Sequence, residues 1–224
     1  MTGRGAIDFE FNVTATSDLE DGTRSRVLAL FRDSYNAANE AYLERSLTQL
    51  RFIATVSSAG ALAGFALGEM RIMDLPRLPR QAVALAGICC IDARSRRRGL
   101  FVELERRAFM ASGIAFGPRV LHCGRVAHPA SFRTMTVNPT HVPKPHTRPT
   151  PWQQQVGEAI AKAYGAAGFD PETFVCAGSG TPVGYPRIDI DVRPDEWQVF
   201  APVNRDRGDS LLGLCWLPDA PEGW

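Results

Sequence analysis

Residues 82–91, AVALAGICCI, form ten positions without a charged or strongly polar side chain. A strand with one wet face would alternate. An unbroken apolar run of this length reads instead as a central strand covered on both faces. The chain must therefore supply a layer for each side of a sheet. The run ends abruptly in DARSRRRG, which places four arginines between Arg94 and Arg98 ahead of Gly99. GLFVELERRAFMASG then reads as an amphipathic helix, with Leu100, Leu104, Ala108 and Met110 near one face and Gly113 as its stop signal.

Such a strand–turn–helix is an anion site by construction. The first N–H groups of a helix have no intrahelical partner, and the helix dipole adds positive potential there. Glycine lets a phosphate approach the backbone, and guanidinium groups match phosphate geometry. The background makes the cluster conspicuous: 25 basic and 24 acidic residues leave a net charge of +1 over 224 residues. No global field attracts nucleic acid or anionic lipid, so anion binding has to be local. A solvated cluster would set its charges against the helix dipole, by about 0.3–1 kcal/mol each. That conflict argues for a gain elsewhere.

The remaining chain reads as mixed α/β with one sheet. AIDFEFNVTA alternates Ile7, Phe9, Phe11 and Val13 as a strand. The next thirty residues, capped by Asp21 or Thr23, are one bent helix or two. Two apolar strands flank the SSAG turn, and DLPRLPRQ reads as a loop. RVLHCGRV is a further strand and HPASFRTM a short helix. Five prolines between Pro139 and Pro151 suggest a stiff extended connector, and Pro151 opens another helix. TFVCAG, RIDIDV, WQVFAPV and LLGLCWL are strand candidates. One domain is expected: a core over about 7–136, an insertion over about 137–186, and closing strands over about 187–218.

The stretch GICCIDARSRRRGLFVEL resembles motif A of the GCN5-related N-acetyltransferase (GNAT) superfamily, in which an apolar strand leads through Arg/Gln-x-x-Gly-x-Gly/Ala into a helix. Arg96, Arg97, Arg98, Gly99, Leu100 and Phe101 take those positions, with Phe101 where Gly or Ala is usual. The resemblance spans about residues 7–136. It implies a mostly antiparallel central sheet flanked by helices, and acetyl transfer from acetyl-CoA to an amine by direct attack, without a metal. It places the CoA pyrophosphate on the N–H groups of Arg97 to Phe101, offers Arg94 and Arg96 to Arg98 to the 3′-phosphate, and sets Cys90 or Ile91 beside the thioester. His128 stands where the family often has Asn, Ser131 keeps a small residue, and Met135 occupies the place of a frequent tyrosine acid.

Two general bases suggest themselves. His122 lies on the strand next to the expected thioester and has an ordinary pKa near neutrality. Glu69 is an acid within an apolar strand. Each has a plainer reading, a hydrogen-bonded core histidine and a solvent-facing strand acid. Asp189 and Asp191 share one face of RIDIDV and suit a cationic amine, or simply a solvated face. The acceptor is expected to be a small-molecule amine. A silent or longer-chain acyl-CoA member of the same fold, or an arginine-mediated module for RNA or an acidic partner, are the competing functions.

Other apparent motifs carry little. GDSL at Gly208 to Leu211 has no histidine downstream, and His141 and His146 lack metal-ligand neighbours. The N-terminus has no signal-like apolar core, and no stretch approaches the roughly 18 apolar residues of a membrane span. Five cysteines without a CxxC pair suit reduced, buried thiols. A cytoplasmic protein, with a homodimer as an option and neither nucleic acid nor membrane as a partner, is the expectation.

Overall fold

The computed structural model describes residues 8–224. Ile7, the first residue of the expected N-terminal strand, lies outside them. That strand is β1, Glu10–Ala15. The long helical segment divides into α1, Asp21–Ser34, and α2, Glu40–Gln49, with the two-residue strand β2, Tyr35–Asn36, between them. Neither Asp21 nor Thr23 caps α1: the cap position falls on Glu20, which makes no side-chain bond there. Asn39 caps α2 by accepting from the Tyr42 N–H.

The expected hairpin follows as β3, Phe52–Ser58, and β4, Ala61–Leu75. The proline-broken loop is instead the tip of a second, longer hairpin. β5 begins at Leu78 and runs to Ile91, paired with β4 as far as Leu75 opposite Leu78. Then come α3 (Leu100–Met110), β6 (Val120–Val126), α4 (Pro129–Thr136) and α5 (Pro151–Ala163). Thr150 closes a capping box with Gln153 ahead of Pro151, which fits the first helical turn because it has no N–H to orphan.

Short strands β7 (Phe169–Asp170), β8 (Val175–Cys176) and β9 (Tyr185–Pro186) precede β10, Ser210–Leu217. Two strand candidates fail here. RIDIDV takes no regular secondary structure and pairs with no strand, and WQVFAPV falls largely in a 3₁₀ helix over Pro194–Phe200. The proline segment is anchored to the sheet: Val142 bridges Leu214 of β10, and Lys144 bridges Thr147.

Eight strands form one sheet in the order β1-β3-β4-β5-β6-β10-β8-β7, while β2 and β9 pair separately. Every neighbouring pair is antiparallel except β5 and β6. The order strand, two helices, three antiparallel strands, helix, strand, helix, closing strand is the one the GNAT resemblance implies. α1, α2 and α5 cover one face, where Leu85, Leu121, Cys123 and Trp216 are fully buried. α3 covers the other through Leu100, Leu104 and Ala108 against Ala54 and Ala66. α4 lies on the α3 side, with Met135 and Phe132 pressed onto Gly124 and Gly213. The apolar run thus has a helical layer on each side, as its composition requires.

Candidate functional site

The parallel strands β5 and β6 pair at four positions, from Val83 opposite Leu121 to Ala86 opposite Gly124. Beyond these they separate. β5 remains paired with β4 but carries a bulge: Gly87 and Ile88 lie between the pairs Ala86–Gly68 and Cys89–Ala66, whereas β4 has only Leu67 there. A bulge bends its strand and sharpens the twist. Gly87 is required at this point, because a Cβ would collide with Leu67 and Leu50. The edge of β5 that faces β6 has no strand partner from Gly87 to Ile91. Alternate residues along that edge aim N–H groups into an open fork.

The arginine turn stands at the end of β5. Gly99 is the N-cap of α3 with φ +75°, and Arg97 is also left-handed at +61°. A Cβ on Gly99 would meet nothing within 4 Å, so the turn is open above it. Among the described residues, no backbone N–H from Arg96 to Val102 donates to a backbone or side-chain acceptor. Leu100, the first residue of α3, is buried, and Phe101 is half-buried.

The four arginines divide. Arg94 is paired with Asp92 and turned to solvent. Arg96 donates to the carbonyls of Ile91 at 3.2 Å and Arg187 at 2.8 Å. Arg97 reaches the Asp189 carbonyl at 3.5 Å. Arg98 lies 6.0 Å from the Phe9 ring centre and makes no ion pair among the described residues. In α4, Arg133 donates to the Asp191 carbonyl and to Glu196. Residues 187–191 therefore form an extended strap. It is tied at one end to Ser34 and Asn36 and at the other to α4, and it crosses the arginine turn. Its contacts there are carbonyls at every second residue, so the expected role of the Asp189 and Asp191 carboxylates finds no support in these bonds.

His128 caps α4: its Nδ1 accepts from the Ala130 N–H at 3.2 Å, and Trp197 packs edge-on at 5.2 Å. Partial burial, then Arg205 and Arg133, lower its pKa and keep it neutral for that bond. Ser131 lies half-buried in the first turn of the same helix. Cys90 packs in the core on the α5 side with its thiol pushed up to about 12 by burial, whereas Cys89 turns to the α3 side. Ile91 also packs toward α3.

The two candidate bases are on opposite faces of the sheet. Glu69 is opposite Leu85 on the α5 face, wholly buried, and paired with Arg71, which also donates to the carbonyls of Ala163 and Gln49. It is not a solvent-facing strand acid. His122 is on the α3 face, paired with Ala84 two positions before the last pair of the ladder, and edge-on to Phe109 at 5.6 Å. Its Nδ1 lies 3.8 Å from Cys215 Sγ, and its buried Nε2 has no hydrogen-bond partner and sits 4.0 Å from Glu105 Oε2. Burial lowers the His122 pKa to about 4 and raises that of Glu105 to about 8. Both are thus neutral near pH 7.

No family model matches the sequence, and no curated protein does. Solved structures do. The ribosomal-protein-S18-alanine N-acetyltransferase from Escherichia coli is similar at 12% identity, over 96% of this chain and 99% of that one, with a TM-score of 0.44. The GNAT family N-acetyltransferase YhbS from Escherichia coli, solved with CoA, shares 18% identity over 60% and 71%, with a TM-score of 0.40. An aminoglycoside N-acetyltransferase, AAC(6')-Iy, also solved with CoA, shares 13% over 59% and 86%, with a TM-score of 0.42. Overlaps this loose carry no argument about fold or activity. Those stand on this chain's own strand order and geometry.

Three groups at the fork escape a reading of the sequence. Glu105 looks like an exposed helical acid, yet its spacing of four from Phe109 places it in the buried stripe. Cys215 meets His122 only through the β6–β10 register. Tyr164, at the end of α5, is buried with its hydroxyl between the two parallel strands. Among the described residues no helix is long and apolar enough to cross a membrane, and all five cysteines are free thiols.

Proposed function

We propose that this chain is an acyl-CoA-dependent N-acyltransferase, moving an acetyl group from acetyl-CoA to a primary amine of a small molecule by direct attack. One observation carries the reading: a parallel strand pair that opens after Ala86 and Gly124, with a partnerless, arginine-flanked helix start at the end of one arm. The N–H groups of Arg97 to Phe101 hold the pyrophosphate. The unpaired edge of Gly87 to Ile91 receives the pantetheine amides and polarises the thioester carbonyl through an N–H, which lowers the barrier by stabilising the developing oxyanion. The amine attacks the carbonyl carbon, the C–S bond breaks, and CoA leaves as the thiol once the proton lost by the amine reaches it.

Of the two bases, Glu69 holds Arg71 through Oε1, with Oε2 buried and without a partner on the α5 face, whereas His122 on the α3 face has a free Nε2; we assign the role to His122. With Nδ1–H turned to the Cys215 sulfur, Nε2 offers a lone pair to the amine proton, directly or through water. His122→Gln should lower turnover by ~10²-fold and flatten the acid side of the pH–rate profile, the scale of a lost general base. Glu69→Gln should act mainly on stability. An unchanged profile in His122→Gln would remove it from the mechanism.

Arg98, whose guanidinium has neither an ion partner nor a hydrogen-bond acceptor among the described residues, is the arginine we assign to the 3′-phosphate. Arg98→Ala should weaken CoA binding about threefold to tenfold and reduce its salt dependence, while leaving dephospho-CoA binding as it was. Calorimetric titration with both ligands separates these. Mass spectrometry of the native protein for co-purified CoA, followed by a thiol-release screen over amines, tests the reading as a whole. A protein that binds no CoA species would return the arginine turn to a partner-binding role.

A further inference from the structure

The open end of a parallel strand pair raises a physical difficulty at its vertex. Where two strands part, carbonyls that would have joined the ladder are left facing a gap, and a buried carbonyl without a donor costs about 1–3 kcal/mol. Here the gap is not empty. The Tyr164 hydroxyl oxygen lies 2.8 Å from the Ala86 carbonyl oxygen on β5 and 2.9 Å from the Cys123 carbonyl oxygen on β6. These residues belong to the last two paired positions before the strands separate. The hydroxyl has one proton, so it donates to one carbonyl at a time while standing between both.

Both sides of the vertex are occupied. On the α3 face the Met135 methyl stands over Gly124. On the α5 face stands the Tyr164 ring, anchored by the last turn of α5, where its backbone N–H donates to Ile160. Burial raises the Tyr164 pKa well above its ordinary value, so the hydroxyl keeps its proton and stays a donor. The helix belongs to the segment after residue 136, beyond the part of the chain that resembles motif A and its neighbours. That segment therefore reaches the vertex of the fork.

We propose that Tyr164 is a positioning residue for acyl transfer: its hydroxyl spans the vertex between Ala86 and Cys123, fixes the separation of β5 and β6, and sets the depth at which the acyl thioester seats. The proposal rests on the acyltransferase reading. The phosphates are held at the arginine turn, remote along β5 from the vertex. Losing the hydroxyl should therefore disturb the acyl group and not the nucleotide.

Tyr164→Phe tests this. The turnover number with acetyl-CoA should fall about tenfold to a hundredfold, the scale of a reacting group displaced by an ångström or less. The affinity for CoA itself should change less than about twofold, and the preference for acetyl-CoA over butanoyl-CoA should shift. A purely structural role would lower melting temperature and CoA affinity together and leave chain-length preference alone. A variant that folds and matches the parent in turnover and preference overturns the proposal.

Should Tyr164→Phe fail to fold, the parent protein labelled with 3-fluorotyrosine supplies the readout, since its four tyrosines give four fluorine lines. The Tyr164 line should move with acetyl-CoA and much less with CoA. A stationary line at saturating acetyl-CoA overturns the proposal while the function stands. A parent protein that binds neither ligand overturns both.

Discussion

Gly99→Glu is expected to weaken CoA binding by one to two decades. The carboxylate would enter the open space above the arginine turn, beside the phosphates. At an effective dielectric near 20, a like-charge contact at ~4 Å costs on the order of 4 kcal/mol before screening, and salt reduces this to an expected 10- to 100-fold. A second effect is separable. Gly99 has φ +75°, a conformation in which a side chain costs roughly 1 kcal/mol. A carboxylate at a helix start offsets part of that. Gly99→Asn is the control: asparagine tolerates the left-handed region and adds no charge. Its CoA affinity should stay near the parent's. If calorimetry finds Gly99→Glu folded and binding CoA like the parent, the arginine turn does not hold the phosphates.

The second large effect concerns stability. Glu105 titrates near 8 in the folded chain, well above its usual range, because burial disfavours the carboxylate. The unfolded chain loses that proton near pH 4.5. Below 4.5 the folded state has its full stability from this group. As pH rises toward 8 that stability is lost at about 1.4 kcal/mol per unit. His122 is the opposite case. Its folded pKa is depressed to about 4 from 6.5, so its contribution is complete above 6.5 and lost as pH falls toward 4. The two slopes oppose each other between 4.5 and 6.5, which leaves a plateau there and a decline above it. Glu105→Gln should remove the alkaline decline and raise the melting temperature at pH 8 by roughly 9–17 °C, given just over ~4 kcal/mol lost by then and 2–4 °C per kcal/mol for a chain of this size. His122→Gln should remove the opposing rise and turn the plateau between 4.5 and 6.5 into a decline. Parallel melting curves for parent and Glu105→Gln from pH 6 to 9 would contradict this account.

Much of the frame was legible in residue order. The unbroken apolar run marked the central strand, and the period of Leu100, Leu104 and Ala108 marked the helix behind it. Pro151 marked the start of α5. The site was legible only where it is local. The arginine turn lies in consecutive residues, so its chemistry could be read directly. The fork depends on a parallel register and a bulge, both set by how strands meet. Tyr164 ends an ordinary amphipathic helix, and nothing local says its hydroxyl reaches two other strands. RIDIDV misled for a related reason. Its alternation suggested a strand, but alternation does not supply a strand partner. Glu105 was hidden by its type: a carboxylic acid on a helix is usually wet, and only its register with Phe109 says otherwise.

The strap over the arginine turn is read through its main chain. Arg96, Arg97 and Arg133 address the carbonyls of residues 187, 189 and 191, and those carbonyls share a side because an extended chain repeats every two residues. Recognition of this kind is indifferent to spelling and sensitive to phase. Many side chains could replace Ile188, Asp189 and Ile190 with little consequence. One inserted residue would turn the downstream carbonyls to the opposite side at a stroke. Along this segment the geometry constrains the length of the chain far more than the identity of its side chains.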